Sequence, residues 1–391
     1  MKICLLGLAL LPSLLFAQKH DFTWMVGYGG GGNSDTFGIS ILNFDPDTTL
    51  NISSNINIRH GFDFANLSMS DKEGNYLFST NGSRIYNREH QVMPGGENLN
   101  INEHNGYILP QGVLALPHPK DSTLYALFHG RKGYITKVTK TWYSEIDMKK
   151  ENGLGRVLRK LPLIQDTLPY GQYTAVRHGN GRDWWGIFQH YCVVEDGCQN
   201  NFFYKVLLTP NGVEVFEQKI EAGILTQTGS GQAVFTPDGT KYVVSQADRP
   251  GVPFYVDVYD FDRCTGELSN RKKIEGPVAT DENGGSGLVV SPNSRFAYLI
   301  MYQQIIQYDL WKQDAIAMEA SSSTVAEYDG FVQYIGNNFP LATRFLFGQL
   351  APDGKIYIST TNATRYLHVI HNPDVKGLNC NVEQHGIELP T

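Results

Sequence analysis

One short pattern recurs along the whole chain, and a repeat constrains a fold more tightly than any local propensity. An apolar strand, a Gly/Asn/Asp turn and an aromatic strand appear at "LSMSDKEGNYLFST" (67–80), "VLALPHPKDSTLYALFH" (113–129) and "TAVRHGNGRDWWGIFQH" (174–190). The same hairpin returns at "QAVFTPDGTKYVVSQ" (232–246), "GLVVSPNSRFAYLIM" (287–301) and "QLAPDGKIYISTT" (349–361). These six copies lie roughly 50–60 residues apart, the spacing of one supersecondary unit. Gly and Asn recur at the turns because tight hairpins demand positive φ.

A second pair of strands follows each hairpin. Its copies are 84–93, 143–161, 203–220, 256–274, 305–320 and 367–387, and a seventh, "ISILNFDPDTTLNISSNINI" (39–58), precedes every hairpin. Within these copies "LNFDPDTT" and "YDFDRCTG" read as the same turn. Two hairpins per unit make a four-stranded antiparallel blade. Such blades in series, without a helical period, specify an all-β chain folded as a seven-bladed β-propeller. Residues 18–391 then form one domain. The count is uneven, with seven outer pairs and six inner hairpins. "FTWMVGY" (22–28) adds one strand to the unmatched pair, so a composite last blade of three strands is expected, with an exposed axial edge and a natural chain running on past Thr391. The alternative is a complete blade of four strands from residues 18–58.

The first residues, "MKICLLGLALLPSLLFAQ", read as a signal peptide. Lys2 is the positive start, Ile3 to Phe16 the apolar core, and Ala17 the small residue before the cut, so residues 1–17 are expected to be removed on export. The apolar run is too short to span a bilayer. The mature chain is therefore expected to be secreted or at the cell surface, without a membrane span. A net charge of −7 and the lack of a basic cluster argue against nucleic acid as a partner. Forty Gly, 21 Tyr and 20 Phe against 18% charged residues suit strands and turns. Cys192 and Cys198, in "CVVEDGC", can close a disulfide in an oxidising compartment.

The motifs "NGRDWW" and "DRCTG", in that order, together with "FTPDGTKY" and "NCNVEQHGI", resemble an uncharacterised secreted β-propeller family of Bacteroidetes, Saprospiria-like in type. The resemblance covers about residues 22–391. It implies export and a propeller. Members often continue into a C-terminal sorting domain for type IX secretion, which this sequence does not reach. The resemblance supplies no catalytic residues.

Candidate chemistry is sparse. "YGGGGNSDTFG" (28–38) lacks the lysine and following helix of a phosphate loop and reads as a strand connection. Asp45/Asp47 and Asp260/Asp262 alternate as metal ligands do, but they sit in matched turns where carboxylates cap backbone. His118, His129, His178 and His190 show no zinc spacing. Small and polar residues recur where each inner strand begins: Gln111, Gln172, Gln232, Ser286 and Gln349. These positions converge on one mouth of the axial channel, where amides either hydrogen-bond a ligand or satisfy backbone groups. The reading favoured is a monomeric, non-enzymatic binding or scaffold module for a protein or glycan ligand, with no cofactor. The alternative is a carbohydrate-active hydrolase or lyase, which needs acids, bases or metal ligands grouped at that mouth.

Overall fold

The computed structural model describes residues 19–27, 38–44, 50–55, 57–100, 109–132, 137–169, 171–192, 201–220, 231–246, 251–285, 287–336 and 338–391. The signal segment, most of the glycine cluster, Asp45, Asp47, Cys198 and Ser286 lie outside them. The strands form a seven-bladed β-propeller of antiparallel blades. Blade 1 holds β1 (Thr23–Gly27), β2 (Ile39–Phe44) and β3 (Leu50–Asn55). Blade 2 holds β4 (Leu67–Ser70), β5 (Tyr76–Thr80) and β6 (Ile85–Asn87), with its fourth strand reduced to a Tyr86–Val92 bridge. Blade 3 follows with β7 (Val113–Pro117), β8 (Leu124–Lys132), β9 (Val138–Asp147) and β10 (Arg156–Ile164). Blade 4 is β11 (Thr174–Arg177), β12 (Trp184–Gln189), β13 (Phe202–Thr209) and β14 (Gly212–Lys219). Blade 5 is β15 (Ala233–Phe235), β16 (Lys241–Gln246), β17 (Pro253–Asp262) and β18 (Glu267–Val278). Blade 6 has β19 (Gly287–Val290), β20 (Phe296–Ile300), β21 (Gln304–Asp309), a short helix α1 (Ala315–Glu319) and β22 (Ser323–Glu327). A separate hairpin, β23 (Val332–Ile335) and β24 (Phe339–Ala342), precedes blade 7. Blade 7 is β25 (Phe345–Leu350), β26 (Ile356–Thr360), β27 (Tyr366–Ile370) and β28 (Val382–Glu388). Among the described residues no helix is long and apolar enough to cross a membrane.

Each blade is apolar on both faces because both face another blade. Buried clusters occupy the successive interfaces, one of them closing blade 7 onto blade 1. There Tyr357 meets Trp24 at 5.9 Å and Phe44 at 5.7 Å between ring centroids. Full burial of one such side chain stabilises by roughly 1.5–3 kcal/mol. The tandem tryptophans show the strand period directly. Trp185 packs against blade 5 while Trp184 turns to blade 3 and donates from Nε1 to Pro117 O at 3.0 Å.

"NGRDWW" and "DRCTG" form one joint between blades 4 and 5. Arg263 O accepts both Trp185 Nε1 (3.1 Å) and Gly179 N–H (2.8 Å), and Arg263 Nε donates to Arg177 O (2.9 Å). Gly266 sits under the Trp185 ring with φ of +70°, and a Cβ there would lie 2.7 Å from the indole. Packing therefore accounts for both motifs.

Among the described residues blade 1 has three strands, as the uneven count requires. All three come from residues 23–55, and the C-terminal residues add a clasp instead of a strand: Ser40 Oγ donates to Thr391 O at 3.3 Å. The expected exposed axial edge is a point of correction. Met25 N–H donates to Ser68 Oγ (3.1 Å), Met25 O accepts Asn66 Nδ2 (2.6 Å), and Gly27 O accepts Phe62 N–H (3.0 Å). Blade 2 thus caps the edge of β1 with side chains and one backbone amide where a fourth strand would have paired. A capped edge offers no template for pairing with another chain.

Candidate functional site

Antiparallel order gives the ring two different faces. One carries the turns within each hairpin, and these turns lock to one another. Asp238 N–H donates to Ser294 Oγ (3.0 Å) across blades 5 and 6, and Asn293 N–H to Asp374 (2.9 Å) across blades 6 and 7. Asp260 and Asp262 do not converge: Asp260 pairs with Lys241 Nζ at 2.6 Å, while Asp262 accepts Cys264 N–H at 2.7 Å. These backbone donors hold the Asp262 carboxyl below its usual pKa. His178 accepts Asn180 N–H at Nδ1 (2.9 Å) and stacks near Trp185. Among the described residues no group of three or more His, Cys, Asp or Glu is placed to hold a metal ion.

The other face carries the crossings between blades and the channel mouth. Three of the amides predicted there, Gln111, Gln172 and Gln232, hydrogen-bond to the backbone of other blades. Gln111 donates from Nε2 to Ala233 O (2.9 Å) and accepts Ala233 N–H at Oε1 (2.8 Å), reaching from blade 3 to blade 5. Gln232 Oε1 accepts the N–H groups of Leu288 (2.9 Å) and Gly348 (3.1 Å), and its Nε2 donates to Gly348 O (3.2 Å), reaching blades 6 and 7. Gln172 donates to Ser245 O at 3.2 Å. Gln172 and Gln232 are buried, and Gln349 alone of the four described is exposed. Gln111 and Gln172 hold left-handed backbone, φ +50° and +69°, which non-glycine residues resist. The amides stitch inner strands together.

The histidines do not gather into a metal-binding group among the described residues. His129 is fully buried, its Nε2 3.3 Å from Ser144 Oγ, and burial lowers its pKa to about 3. His118 lies 4.0 Å from Glu145, which Arg159 engages at 2.7 Å. His190 stacks on Phe202 and lies 3.4 Å from Asp166. Cys192 is disulfide-bonded, with its partner outside the described residues, whereas Cys264 and Cys380 are free thiols.

A cavity on the mouth face lies beside the axial edge of β1, which no further strand covers among the described residues. Without an inner strand to part them, the segment leading into β4 reaches the inner strand of blade 7, and Phe64 meets Phe347 edge to face at 5.8 Å. Beside this pair opens a groove of about 250 Å³. Val26, Leu346, Leu367 and Leu389 supply apolar walls; Asp63, Asn66, Asn362 and Tyr366 supply polar groups. Phe64 is 43% exposed, so an aromatic surface is open to a ligand. Asn362 spends Nδ2 on Ala342 O (2.7 Å), which leaves Oδ1 available. Asp63 is the one acidic side chain among the described lining residues. A larger groove, about 490 Å³, runs between the outer strands of blades 5 and 6, but its two carboxylates are engaged: Glu275 with Lys273 (3.3 Å), Glu319 with Glu275 N–H (3.4 Å). Phe64 lies outside every repeat copy, which is why its contact with Phe347 was not foreseen.

No protein-family model matches the chain, and no curated protein matches it. Among solved structures, the chain is similar to a protein from Lactobacillus plantarum at 14% identity and a TM-score of 0.45, covering 89% of this chain and 91% of that one. It is also similar to the β-propeller domain of Myceliophteria thermophila Cps50 (Swd1), at 10% identity, TM-score 0.43 and coverage of 89% and 94%. The periplasmic gluconolactonase of Pseudomonas aeruginosa shows 11% identity, TM-score 0.38 and coverage of 89% and 91%. At these values the likeness transfers no functional residue.

Proposed function

We propose that this protein is an exported, non-enzymatic binding module that holds a glycan or peptide chain in the groove above blade 1. The observation that carries the reading is the half-exposed Phe64–Phe347 pair set among Asp63, Asn66, Asn362 and Tyr366. A rigid aromatic surface with a few hydrogen-bonding groups around it is how concave sites orient ligands. The groove's size suits one or two units of a chain-like ligand. A retaining or inverting glycoside hydrolase would need a second carboxyl side chain beside Asp63. Export is supported by Lys2, the Ile3–Phe16 run and Ala17, and by the disulfide at Cys192. Screening glycan and peptide arrays tests the reading. Phe64→Ala is expected to weaken the best ligand at least tenfold with the melting temperature retained. Unchanged binding by the folded variant would place the site elsewhere.

A further inference from the structure

The hairpin β23–β24 belongs to no blade, and one of its edges is open. Thr343 N–H donates to Phe331 O at 3.2 Å, and Val332, Gln333, Tyr334 and Ile335 face Ala342, Leu341, Pro340 and Phe339. In an antiparallel ladder hydrogen-bonded and non-hydrogen-bonded pairs alternate. Counting from Phe331, the Val332–Ala342 and Tyr334–Pro340 pairs are non-hydrogen-bonded. Two observations agree. Pro340 has no N–H to give, and Ala342 O points outward to Asn362 Nδ2 at 2.7 Å. The N–H and C=O groups of Val332 and Tyr334 therefore point away from β24, and no other described strand pairs with β23.

This edge differs from the outer edges of blades 3 to 7. The outer strands of blades 3 to 7 carry charges: Arg156, Arg159 and Lys160 on β10, Glu214 and Glu217 on β14, Lys272 and Lys273 on β18, Glu327 on β22, and Glu383 and Glu388 on β28. Such charges keep edges from pairing. On β3 the sequence "LNISSN" is rich in amides and hydroxyls. Residues 330–343, "GFVQYIGNNFPLAT", contain no charged residue. Tyr334 and Phe339 stand 65% and 64% exposed on the hairpin.

We propose that β23 pairs antiparallel with β23 of a second copy of this chain, across a two-fold axis at Gln333. Val332 of each copy then faces Tyr334 of the other, and the two pairs exchange four backbone hydrogen bonds. The register closes on itself, so an isologous dimer forms without a free end to propagate. A second copy is favoured over a disordered peptide because both edges are already ordered and lose little conformational entropy on pairing. Four bonds and two exposed aromatics per copy fall short of the roughly 1,600 Å² of a stable interface, so the dimer is weak and concentration-dependent. This departs from the monomer expected from the sequence.

Sedimentation equilibrium from about 10 µM to about 1 mM, the range a small interface calls for, tests the pairing. The wild type is expected to shift from monomer to dimer across it. Tyr334→Pro removes one outward N–H at a position where β24 does not need it and should weaken the dimer at least tenfold. Tyr334→Lys sets two like charges across the axis and should do the same. Hydrogen exchange of residues 328–343 should slow at high concentration in the wild type only. A wild type monomeric throughout overturns the proposal. So does a dimer that both variants keep and that leaves exchange unchanged, since its interface then lies elsewhere. Binding of neutral phosphatidylcholine vesicles by a protein that stays monomeric would overturn it in favour of a membrane surface.

Discussion

Replacing Gln232 by alanine removes one side chain and strands three backbone groups. Leu288 N–H and Gly348 N–H lose their acceptor, and Gly348 O loses its donor. The site is buried, so each loss is felt nearly in full; at about 1 kcal/mol net per hydrogen bond the sum is about 3 kcal/mol. Unfolding entropy of about 2.1 cal/mol/K per residue over about 370 residues is about 0.8 kcal/mol/K, which converts the loss into a fall of about 4 °C in melting temperature. Differential scanning calorimetry reads such a shift easily, with exposed Gln349→Ala as the control that should not move. Gln232→Glu sharpens the test. It keeps an acceptor for the two N–H groups but sets a carboxylate oxygen against Gly348 O, so it should destabilise at least as much as alanine. A Gln232→Ala protein that melts within a degree of the wild type, while losing affinity for a ligand, would refute the stitching role and return the amide to a binding surface.

Three further outcomes follow from the same contacts. His60, His129 and His368 have pKa values lowered to about 4, about 3 and about 4, chiefly by burial. They stay neutral in the fold while the unfolded chain takes up protons below about 6.5. Stability should therefore fall as pH drops from 6.5 toward 4, by up to about 1.4 kcal/mol per pH unit for each histidine. Urea unfolding at pH 7 and pH 5 checks this, and equal midpoints would refute it. At the joint of blades 4 and 5, Trp185→Phe gives up one hydrogen bond, worth about 1 kcal/mol, and part of a buried ring, worth about 1 kcal/mol more. Gly266→Ala meets both the indole and a left-handed φ, so it should cost more; the reverse order in chemical denaturation would contradict the packing described. N-terminal sequencing of the exported protein is expected to begin at or near Gln18, and recovery of an intact Met1 in soluble cytoplasm would exclude export.

The repeat made the architecture legible. Strand pairs were readable because each depends on residues a few positions apart, and the mismatch between outer pairs and inner hairpins already contained the three-stranded blade. The amide ring was legible in place but not in role. Whether Gln111 meets a ligand or Ala233 depends on a blade more than a hundred residues away, and no local pattern records that distance. The hairpin at 332–342 stood between two copies and matched neither. Phe64 and Asn66 were passed over for the same reason: they lie just before a copy begins, and their partners Phe347 and Met25 sit on neighbouring blades.

The missing strand and the candidate site have one cause. A complete seventh hairpin would put an inner strand between β25 and β4, parting Phe64 from Phe347 and filling the space beside them. Because blade 1 stops at three strands, blade 2 must lean across to cap Met25 and Gly27. The same segment, leading into β4, places Asp63, Phe64 and Asn66 along the groove. On the turn face, described loops of blades 5, 6 and 7 hydrogen-bond to one another from blade to blade. The inner amides Gln111, Gln172 and Gln232 are spent on backbone, so these three side chains are not the groups the described mouth offers to a ligand. Among the described residues, the seam beside β1 is where aromatic surface, hydrogen-bonding groups and a cavity coincide.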